Sequence, residues 1–224
     1  MAGKRLTNAD PLLARLAISG ARFGAILADP PWRFITYNES GRNRCPDWKP
    51  FEGSPSRHYD TMSTEEIAAL PVQSIAAKNC CLFLWTSWPM LKDALTIIER
   101  WGFVFKTCAF DWMKAHTGQI DLFRDDYDAL MGCGYWTRAN SEPCLLATRG
   151  RPKRLNADVR QGVIEPRREH SRKPDCVHDR IERLVAGPYI ELFARRERPN
   201  WAVWGSEVSS AIIAPADNRG IPRR

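Results

Sequence analysis

The chain of 224 residues lacks several patterns that would assign it to common classes of protein. It has no Cys-x-x-Cys pair and only four scattered histidines, so we predict no bound metal. It also has no P-loop, which disfavours a P-loop nucleotide hydrolase. No Gly-x-Gly turn follows the apolar run at residues 189–193, and this weakens an interpretation as a Rossmann dehydrogenase.

Long apolar segments are absent as well. The N-terminal part has no stretch of the length of a signal peptide or a transmembrane helix, which predicts no membrane contact. The seven cysteines are odd in number, and several lie in apolar runs such as residues 80–84. They predict buried free thiols in a reducing compartment, with the cytoplasm as the expected location. We expect three histidines, His58, His116 and His178, on the surface.

The composition indicates one sizeable domain over residues 1–224, because 44% of the residues are hydrophobic and 10% are aromatic. Basic residues exceed acidic ones by 33 to 26, and the excess is concentrated in residues 149–173, with nine basic and three acidic residues. That net charge of +6 suits a polyanion, and Arg151, Lys153 and Arg154 are candidate contacts. A solvated loop is the alternative, and charge alone leaves both open.

Short apolar runs alternate with helical patterns along the chain. This alternation predicts an α/β fold with a mostly parallel central sheet, helices on both faces and ligands at the carboxyl ends of the strands. We expect a core over about 20–207, irregular loops at 33–58 and 113–141, a tail at 208–224, and Trp85 and Trp101 in the core. The predicted strands are 23–28, 80–85, 103–112, 143–148, 163–164, 189–193 and 201–204, and the predicted helices begin at Ser63, Pro89 and Pro174.

The segment Asp29-Pro30-Pro31-Trp32, at the end of the first predicted strand, is the most informative one. An aromatic amine is a poor nucleophile, and an acceptor placed on its N–H groups makes it more reactive. A carboxylate at a strand end, or a carbonyl held by prolines, would be such an acceptor, and a tryptophan could stack on the ring. The same residues are also ordinary strand terminators and turn formers, so the segment by itself leaves both interpretations open.

This segment resembles the Asp-Pro-Pro-Trp motif of the adenine methyltransferase family that includes the catalytic subunit of the eukaryotic messenger-RNA adenosine methyltransferase. Further segments resemble that family in the same order over roughly residues 20–207. They are Tyr59-Asp60-Thr61-Met62-Ser63, Leu82-Phe83-Leu84-Trp85, Gly134-Tyr135-Trp136 with Asn140-Ser141-Glu142, Ser171-Arg172-Lys173-Pro174-Asp175 with Ile181-Glu182-Arg183-Leu184, and Glu191-Leu192-Phe193-Ala194-Arg195 with Pro199-Asn200-Trp201 and Gly205.

The resemblance implies a Rossmann-like methyltransferase fold with a permuted motif order, in which the catalytic strand comes first. It implies S-adenosylmethionine as methyl donor and the 6-amino group of adenine as target. Asp29 and the carbonyl of Pro30 would bind that amino group, with Pro31 completing the rigid turn. Trp32 would stack on a flipped adenine, and Tyr59 would either gate the pocket or simply pack.

Other roles also follow from the resemblance alone. Lys173 would contact the carboxylate of the donor, and Arg195 would lie near its ribose. Ser206 and Glu207 replace an Asn-Gln pair that contacts the ribose and adenine, which makes that contact less secure. Glu142 would lie on the substrate side of the site.

The substrate class remains open between DNA and RNA. A stand-alone chain of this size resembles bacterial and phage relatives, which favours DNA. The two long loops and the basic residues 149–173 would hold its phosphates. A non-catalytic nucleic-acid-binding partner is a further alternative, although the intact Asp29–Trp32 segment argues against it. The sequence leaves open a monomer or a homodimer.

Overall fold

The computed structural model describes residues 20–33, 61–115, 137, 139–168 and 172–208. Tyr59, nearly all of loop 33–58, most of loop 113–141 and nearly the whole tail lie outside these residues. Every predicted strand and helix is present. The described elements are β1 (Phe23–Ala28), α1 (Thr64–Ala68), β2 (Ala76–Trp85), α2 (Leu91–Arg100), β3 (Val104–Ala115), β4 (Ser141–Arg149), β5 (Gly162–Pro166), α3 (Cys176–Leu184), β6 (Tyr189–Leu192) and β7 (Trp201–Trp204), with 3-10 turns at Val72–Ser74 and Trp88–Met90.

The strands form one sheet in the order β5-β3-β4-β2-β1-β6-β7. Among the described strands only β4 is antiparallel to its neighbours, β2 and β3, and all other pairs are parallel. The carboxyl ends of six strands and the amino end of β4 therefore meet at one edge, which we call the carboxyl rim. The opposite edge is the amino rim. The prediction of a mostly parallel sheet is confirmed.

Both faces of the sheet are covered, as predicted. Along β1, Ile26 and Ala28 point to a core cluster that contains residues of α1 and α2, whereas Ala25 and Leu27 point to a second cluster that contains residues of α3. All four side chains are at most 2% exposed. Burial on both faces explains why β1 is a continuous apolar run and not an alternating pattern. The fold is the Rossmann-like methyltransferase fold.

Local signals define the start and end of two helices. The backbone N–H of Glu66 donates to Ser63 Oγ at 3.2 Å, and the Glu66 side chain accepts from the backbone N–H of Ser63 at 2.7 Å, which forms the predicted capping box of α1. Gly102, with φ of +78°, follows the end of α2. Trp101 is fully buried and its indole N–H donates to the carbonyl of Ile67, so α1 and α2 are joined at this point.

Two expectations need correction. The irregular region predicted at 113–141 is shorter at both ends, because Met113 pairs with Ser141 and β5 pairs with β3 as far as Ala115. His178 is not on the surface: only 6% of it is exposed, and its Nε2 lies 2.8 Å from a carboxylate oxygen of Glu191. It is buried because α3 turns this face towards the sheet.

The described cysteines are all free thiols. Cys80, Cys81 and Cys144 are buried as predicted, whereas Cys108 and Cys176 are half-buried. Burial raises the pKa of Cys80 to about 12 and that of Cys81 to about 11, so both remain protonated and unreactive near neutral pH. Within the described part of the chain, none of the helices has the length and apolar character needed to cross a membrane.

Candidate active site

Four charged side chains converge on the carboxyl rim from four separate places in the sequence. Asp29 follows β1, Lys114 is the penultimate residue of β3, Glu142 is the second residue of β4, and Lys173 precedes α3. Glu142 reaches this rim because β4 runs antiparallel, which brings its amino end beside the carboxyl ends of its neighbours. The rim is where ligands of parallel sheets bind.

Asp29 and Lys173 are directly paired although 144 positions separate them. Lys173 Nζ donates to Asp29 Oδ1 at 2.9 Å and to Oδ2 at 2.8 Å. Burial raises the pKa of Asp29, the Lys173 ammonium opposes this, and the net result is a pKa above the ordinary value. The Asp29 carboxylate is therefore a better proton acceptor than an ordinary surface aspartate.

Glu142 lies between two lysines. Its Oε2 is 3.4 Å from Lys173 Nζ, and its Oε1 forms an ion pair with Lys114 Nζ. Burial raises the pKa of Glu142, but the charges of Lys173 and Lys114 outweigh burial, so its pKa lies below the ordinary value. The two carboxyl groups of this site thus have pKa values shifted in opposite directions. Asp29 is suited to accept a proton, whereas Glu142 stays ionised.

Trp85 lies beneath this group of charges. Lys173 Nζ is 5.6 Å from the centroid of its ring, within the range of a cation–π contact. Trp85 is 1% exposed and its prediction as a core residue is confirmed. The pair of carboxylates and the aromatic ring together hold the Lys173 ammonium at one position on the rim.

The Asp29–Trp32 segment is held by backbone hydrogen bonds. The carbonyl of Pro30 accepts from the Trp32 N–H at 2.8 Å, and the carbonyl of Pro31 accepts from the Met62 N–H at 2.8 Å. Trp32 is 7% exposed, and its indole N–H donates to the carbonyl of Trp85 at 3.1 Å. These contacts hold the three residues that follow Asp29, and the stacking of Trp32 on a base stays a prediction.

A tight turn after β6 packs against the end of β7. Phe193 has φ of +64°, and the backbone N–H of Ala194 donates to the carbonyl of Trp204 at 2.9 Å. A Cβ added to Gly205 would lie 2.0 Å from the carbonyl oxygen of Ala194. Only glycine allows this approach, so Gly205 brings the segments after β6 and β7 together at the carboxyl rim.

Three of the residues predicted to contact the donor, Arg195, Ser206 and Glu207, lie on these two segments. Arg195 Nε is 3.8 Å from Glu207 Oε1, and Ser206 precedes Glu207. The charge of Arg195 also acts on Asp29, where it lowers the pKa slightly against the effect of burial. The structure therefore brings Arg195, Glu207 and Ser206 to the same rim as Asp29 and Lys173.

The predicted phosphate contacts are not brought to this site. The backbone N–H of Arg151 donates to Asn79 Oδ1 at the start of β2, and Arg154 forms a bridge with Val185, just after α3. Both arginines, like Lys153 between them, are exposed at the amino rim. The length of β4 separates them from Asp29, about 25 Å for a strand of this size.

One member of the charged group was missed in the sequence. Lys114 is the residue that completes the environment of Glu142, and it fell in the irregular region predicted at 113–141. The signal that identifies it is the pairing of β3 with β4, which sets Met113 opposite Ser141 and so places Lys114 beside Glu142.

The mostly parallel sheet and the acidic and basic side chains at its carboxyl rim define the class, a Rossmann-like methyltransferase. Residues 23–207 match the MT-A70 family, and the chain belongs to this family. The resemblance found in the sequence is thereby confirmed.

Several relatives are named as methyltransferases. The chain is 33% identical over 196 residues to type II methyltransferase M.MunI from Mycoplasma sp, covering 84% of this chain and 78% of that protein. It is 26% identical over 201 residues to the N(6)-adenosine-methyltransferase catalytic subunit METTL3 of Homo sapiens, covering 88% of this chain and 30% of METTL3. It is 29% identical over 192 residues to the N(6)-adenosine-methyltransferase MT-A70-like protein of Drosophila melanogaster, of which it spans 27%.

Proposed function

We propose that this chain transfers a methyl group from S-adenosylmethionine to the 6-amino group of adenine in DNA. The observation that carries the proposal is the half-buried Asp29 carboxylate at the carboxyl rim, with a raised pKa and a lysine on both of its oxygens. Membership of the MT-A70 family supports the reaction type, and the names of the eukaryotic relatives support adenine as the target.

The charges at the rim fit the proposed donor. Lys173 offers an ammonium for the carboxylate of the donor, and Asp29 offers a carboxylate for its cationic part. Arg195 and Glu207 lie together after β6 and β7, where Glu207 would accept hydrogen bonds from ribose hydroxyls. When bound, S-adenosylmethionine supplies an electrophilic methyl group on a sulfonium.

Asp29 has the central role in the proposed step. Its carboxylate accepts a hydrogen bond from the amino group of adenine, which localises the nitrogen lone pair for attack on the methyl carbon. As the N–C bond forms and the S–C bond breaks, the nitrogen loses a proton, and Asp29 takes it directly or through water. Because burial raises the pKa of Asp29, this carboxylate is suited to that transfer.

Lys173 links donor binding to the availability of Asp29. In this structure it donates to both oxygens of Asp29 and also lies near Glu142. With the donor bound, Lys173 would share its ammonium between the donor carboxylate and Asp29, which would leave the oxygens of Asp29 available to the amino group. Glu142, held as an anion, keeps Lys173 in position throughout.

The match covers 78% of M.MunI, which is named a type II methyltransferase, but only 30% of METTL3. The chain corresponds in extent to M.MunI, and this supports DNA over RNA as the substrate. RNA is the second candidate, since relatives that include METTL3 are named for N(6)-adenosine. We also propose a cytoplasmic location, which the free thiols of the described cysteines support.

The test is transfer of a labelled methyl group to DNA and RNA oligonucleotides of matched sequence. We expect incorporation into DNA at adenine, and a rate reduced about 10²- to 10⁴-fold in Asp29→Ala and Asp29→Asn. Asp158→Asn is the matched control, because this exposed carboxylate pairs with Arg183 far from the site and its loss should leave the rate unchanged.

Each outcome has a distinct meaning. Equal incorporation by the Asp29 variants would refute the assigned site. Preference for RNA would reverse the substrate. A wild-type protein that neither binds the donor in calorimetry nor transfers a methyl group would be the non-catalytic partner.

A further inference from the structure

The carboxyl rim carries a group of arginines that the proposed reaction does not use. Arg172 Nη2 donates to Asp175 Oδ2 at 2.6 Å, and Arg168 Nη1 donates to the same oxygen. Arg196 forms an ion pair with Asp175 Oδ1. We call Arg168, Arg172 and Arg196 the arginine cluster. Its members come from two segments of the chain, namely the one between β5 and α3, with Arg168 and Arg172, and the one after β6, with Arg196.

Among the residues that the structure describes, positive charge exceeds negative charge in this cluster. Three guanidinium groups share Asp175, and one further carboxylate, Glu165, accepts from Arg168 Nη2 at 2.9 Å. Each guanidinium has five N–H donors, so the three groups together have many more donors than the two carboxylates accept in these contacts. The side chains of Arg172 and Arg196 are 42% and 45% exposed, so the excess charge faces solvent.

The position of the cluster relates it to the active site. Arg172 directly precedes Lys173, and Arg196 directly follows Arg195. The cluster therefore lies on the same two segments as Lys173 and Arg195, at the edge of the sheet where Asp29 lies. An anion bound there would be adjacent to a substrate at Asp29.

We propose that the arginine cluster binds backbone phosphates of the nucleic-acid strand whose adenine enters the site. The inference rests on the proposed function and goes beyond it by identifying the surface that holds the strand. Guanidinium groups bind phosphate oxygens in pairs, and such contacts set the position of a strand without reading its sequence. Asp175 holds the three guanidinium groups in place and limits their mutual repulsion.

The arginine cluster, and not the basic loop of Arg151, Lys153 and Arg154, then contacts the strand near the site. The loop lies at the amino rim, about 25 Å from the carboxyl rim by the length of β4. Each group has three basic side chains, and at least two of them are exposed in each group. Two variants with the same change in net charge therefore separate the groups.

The experiment compares Arg172→Ala/Arg196→Ala with Arg151→Ala/Lys153→Ala. Dissociation constants for a DNA oligonucleotide are measured over a series of salt concentrations, without the methyl donor. For the carboxyl-rim pair we expect binding weakened about tenfold or more, and the slope of log K against log salt reduced by about 2. For the amino-rim pair we expect the slope of the wild type.

Arg172→Lys/Arg196→Lys keeps the charge and the pairing with Asp175, and it should retain most of the wild-type slope. This variant separates loss of phosphate contacts from loss of folded structure, which thermal unfolding of all three variants also monitors. An unchanged slope in Arg172→Ala/Arg196→Ala, or a reduced slope only in the amino-rim pair, would overturn the proposal.

The outcome is independent of the proposed reaction. Methyl transfer by the wild type is measured separately on the same oligonucleotide. If transfer occurs and the carboxyl-rim pair binds like the wild type, the arginine cluster is wrong and the proposed function stands. If no methyl group is transferred but the carboxyl-rim pair loses binding, the proposed function fails and the binding surface stands.

Discussion

The two rims of the sheet carry charge in different ways. At the carboxyl rim Asp29, Lys173, Glu142 and Lys114 alternate in sign and contact one another across four segments of the chain. At the amino rim the basic side chains between residues 151 and 154 are exposed along one continuous loop. Ion pairs between separate elements fix the positions of the charged groups, as a site requires. The exposed loop carries charge that is not positioned by such pairs.

The basic stretch at residues 149–173 is divided between these rims. It begins at the amino rim after β4, where the backbone N–H of Leu155 donates to the carbonyl of Leu184. It then follows β5 to the carboxyl rim, where Arg168 and Lys173 lie. A local excess of charge in the sequence therefore belongs to two surfaces, which have different expected roles.

The comparison is tested most strongly by adding one methyl group at each rim. A Cβ at Gly205 would lie 2.0 Å from the carbonyl oxygen of Ala194, and a Cβ at Gly150 would lie 2.3 Å from that of Lys78. We expect Gly205→Ala and Gly150→Ala each to lower the free energy of unfolding by about 1–3 kcal/mol or more. Chemical denaturation measures this loss.

Activity then distinguishes the rims. At a temperature where both variants are folded, Gly205→Ala should weaken donor binding and methyl transfer, whereas Gly150→Ala should retain both. Gly162→Ala is the control for stability, because nothing lies within 4 Å of the added Cβ. Equal loss of activity in Gly205→Ala and Gly150→Ala would show that the two rims are not functionally distinct.

A smaller effect is expected from Lys114→Gln. The substitution removes one of the two lysines that keep the pKa of Glu142 low, so that pKa should rise. We expect methyl transfer to fall about tenfold, and the acid limb of its pH profile to move to higher pH. Lys106→Gln, in the exposed first half of the same strand, is the matched control. Superimposable profiles for the wild type and Lys114→Gln would exclude Lys114 from the site.

The smallest effect concerns the stability of the two isosteric carboxyl variants. The folded pKa of Glu142 is below its ordinary value of 4.5, so its ionised form stabilises the fold above that pH and the contribution is lost as pH falls. The folded pKa of Asp29 is above its ordinary value of 3.8, so its ionised form costs stability as pH rises through the folded pKa.

At pH 7 we therefore expect Glu142→Gln to be less stable than the wild type and Asp29→Asn to be at least as stable as the wild type. Both differences should shrink as pH falls and the carboxyl groups become protonated in the folded and unfolded states. Thermal unfolding at pH 7 and below measures them. Differences of the same sign for both variants would contradict the opposite pKa shifts.

Local patterns were sufficient to predict most of the fold. The bounds of β1 and β7 match the prediction because each is a short apolar run, and β1 is stopped by Pro30 and Pro31 just after Asp29. The start of α1 follows from the Ser63 capping box, which acts within four residues. These features depend on neighbours in sequence, so a single sequence reveals them.

The candidate site was predicted less completely. The roles assigned to Asp29 and Lys173 came from the family resemblance, and the structure adds that the two side chains contact each other over 144 positions. Lys114 had no local signal, and Arg168 and Arg172 stood out only as part of the basic stretch at 149–173. The significance of these residues depends on partners from other strands and loops. The burial of His178 also depends on how α3 packs on the sheet.

The sequence by itself determined the order of strands and helices, the position of Asp29 at a strand end and the family of the chain. The tertiary structure alone decided that Glu142 joins Lys114 and Lys173, and that one basic stretch serves two rims. The physical reason is the direction of β4. A strand inserted antiparallel between β2 and β3 brings its first residues to the carboxyl rim and sends the chain that follows to the amino rim, and this choice arises from pairing with strands distant in sequence.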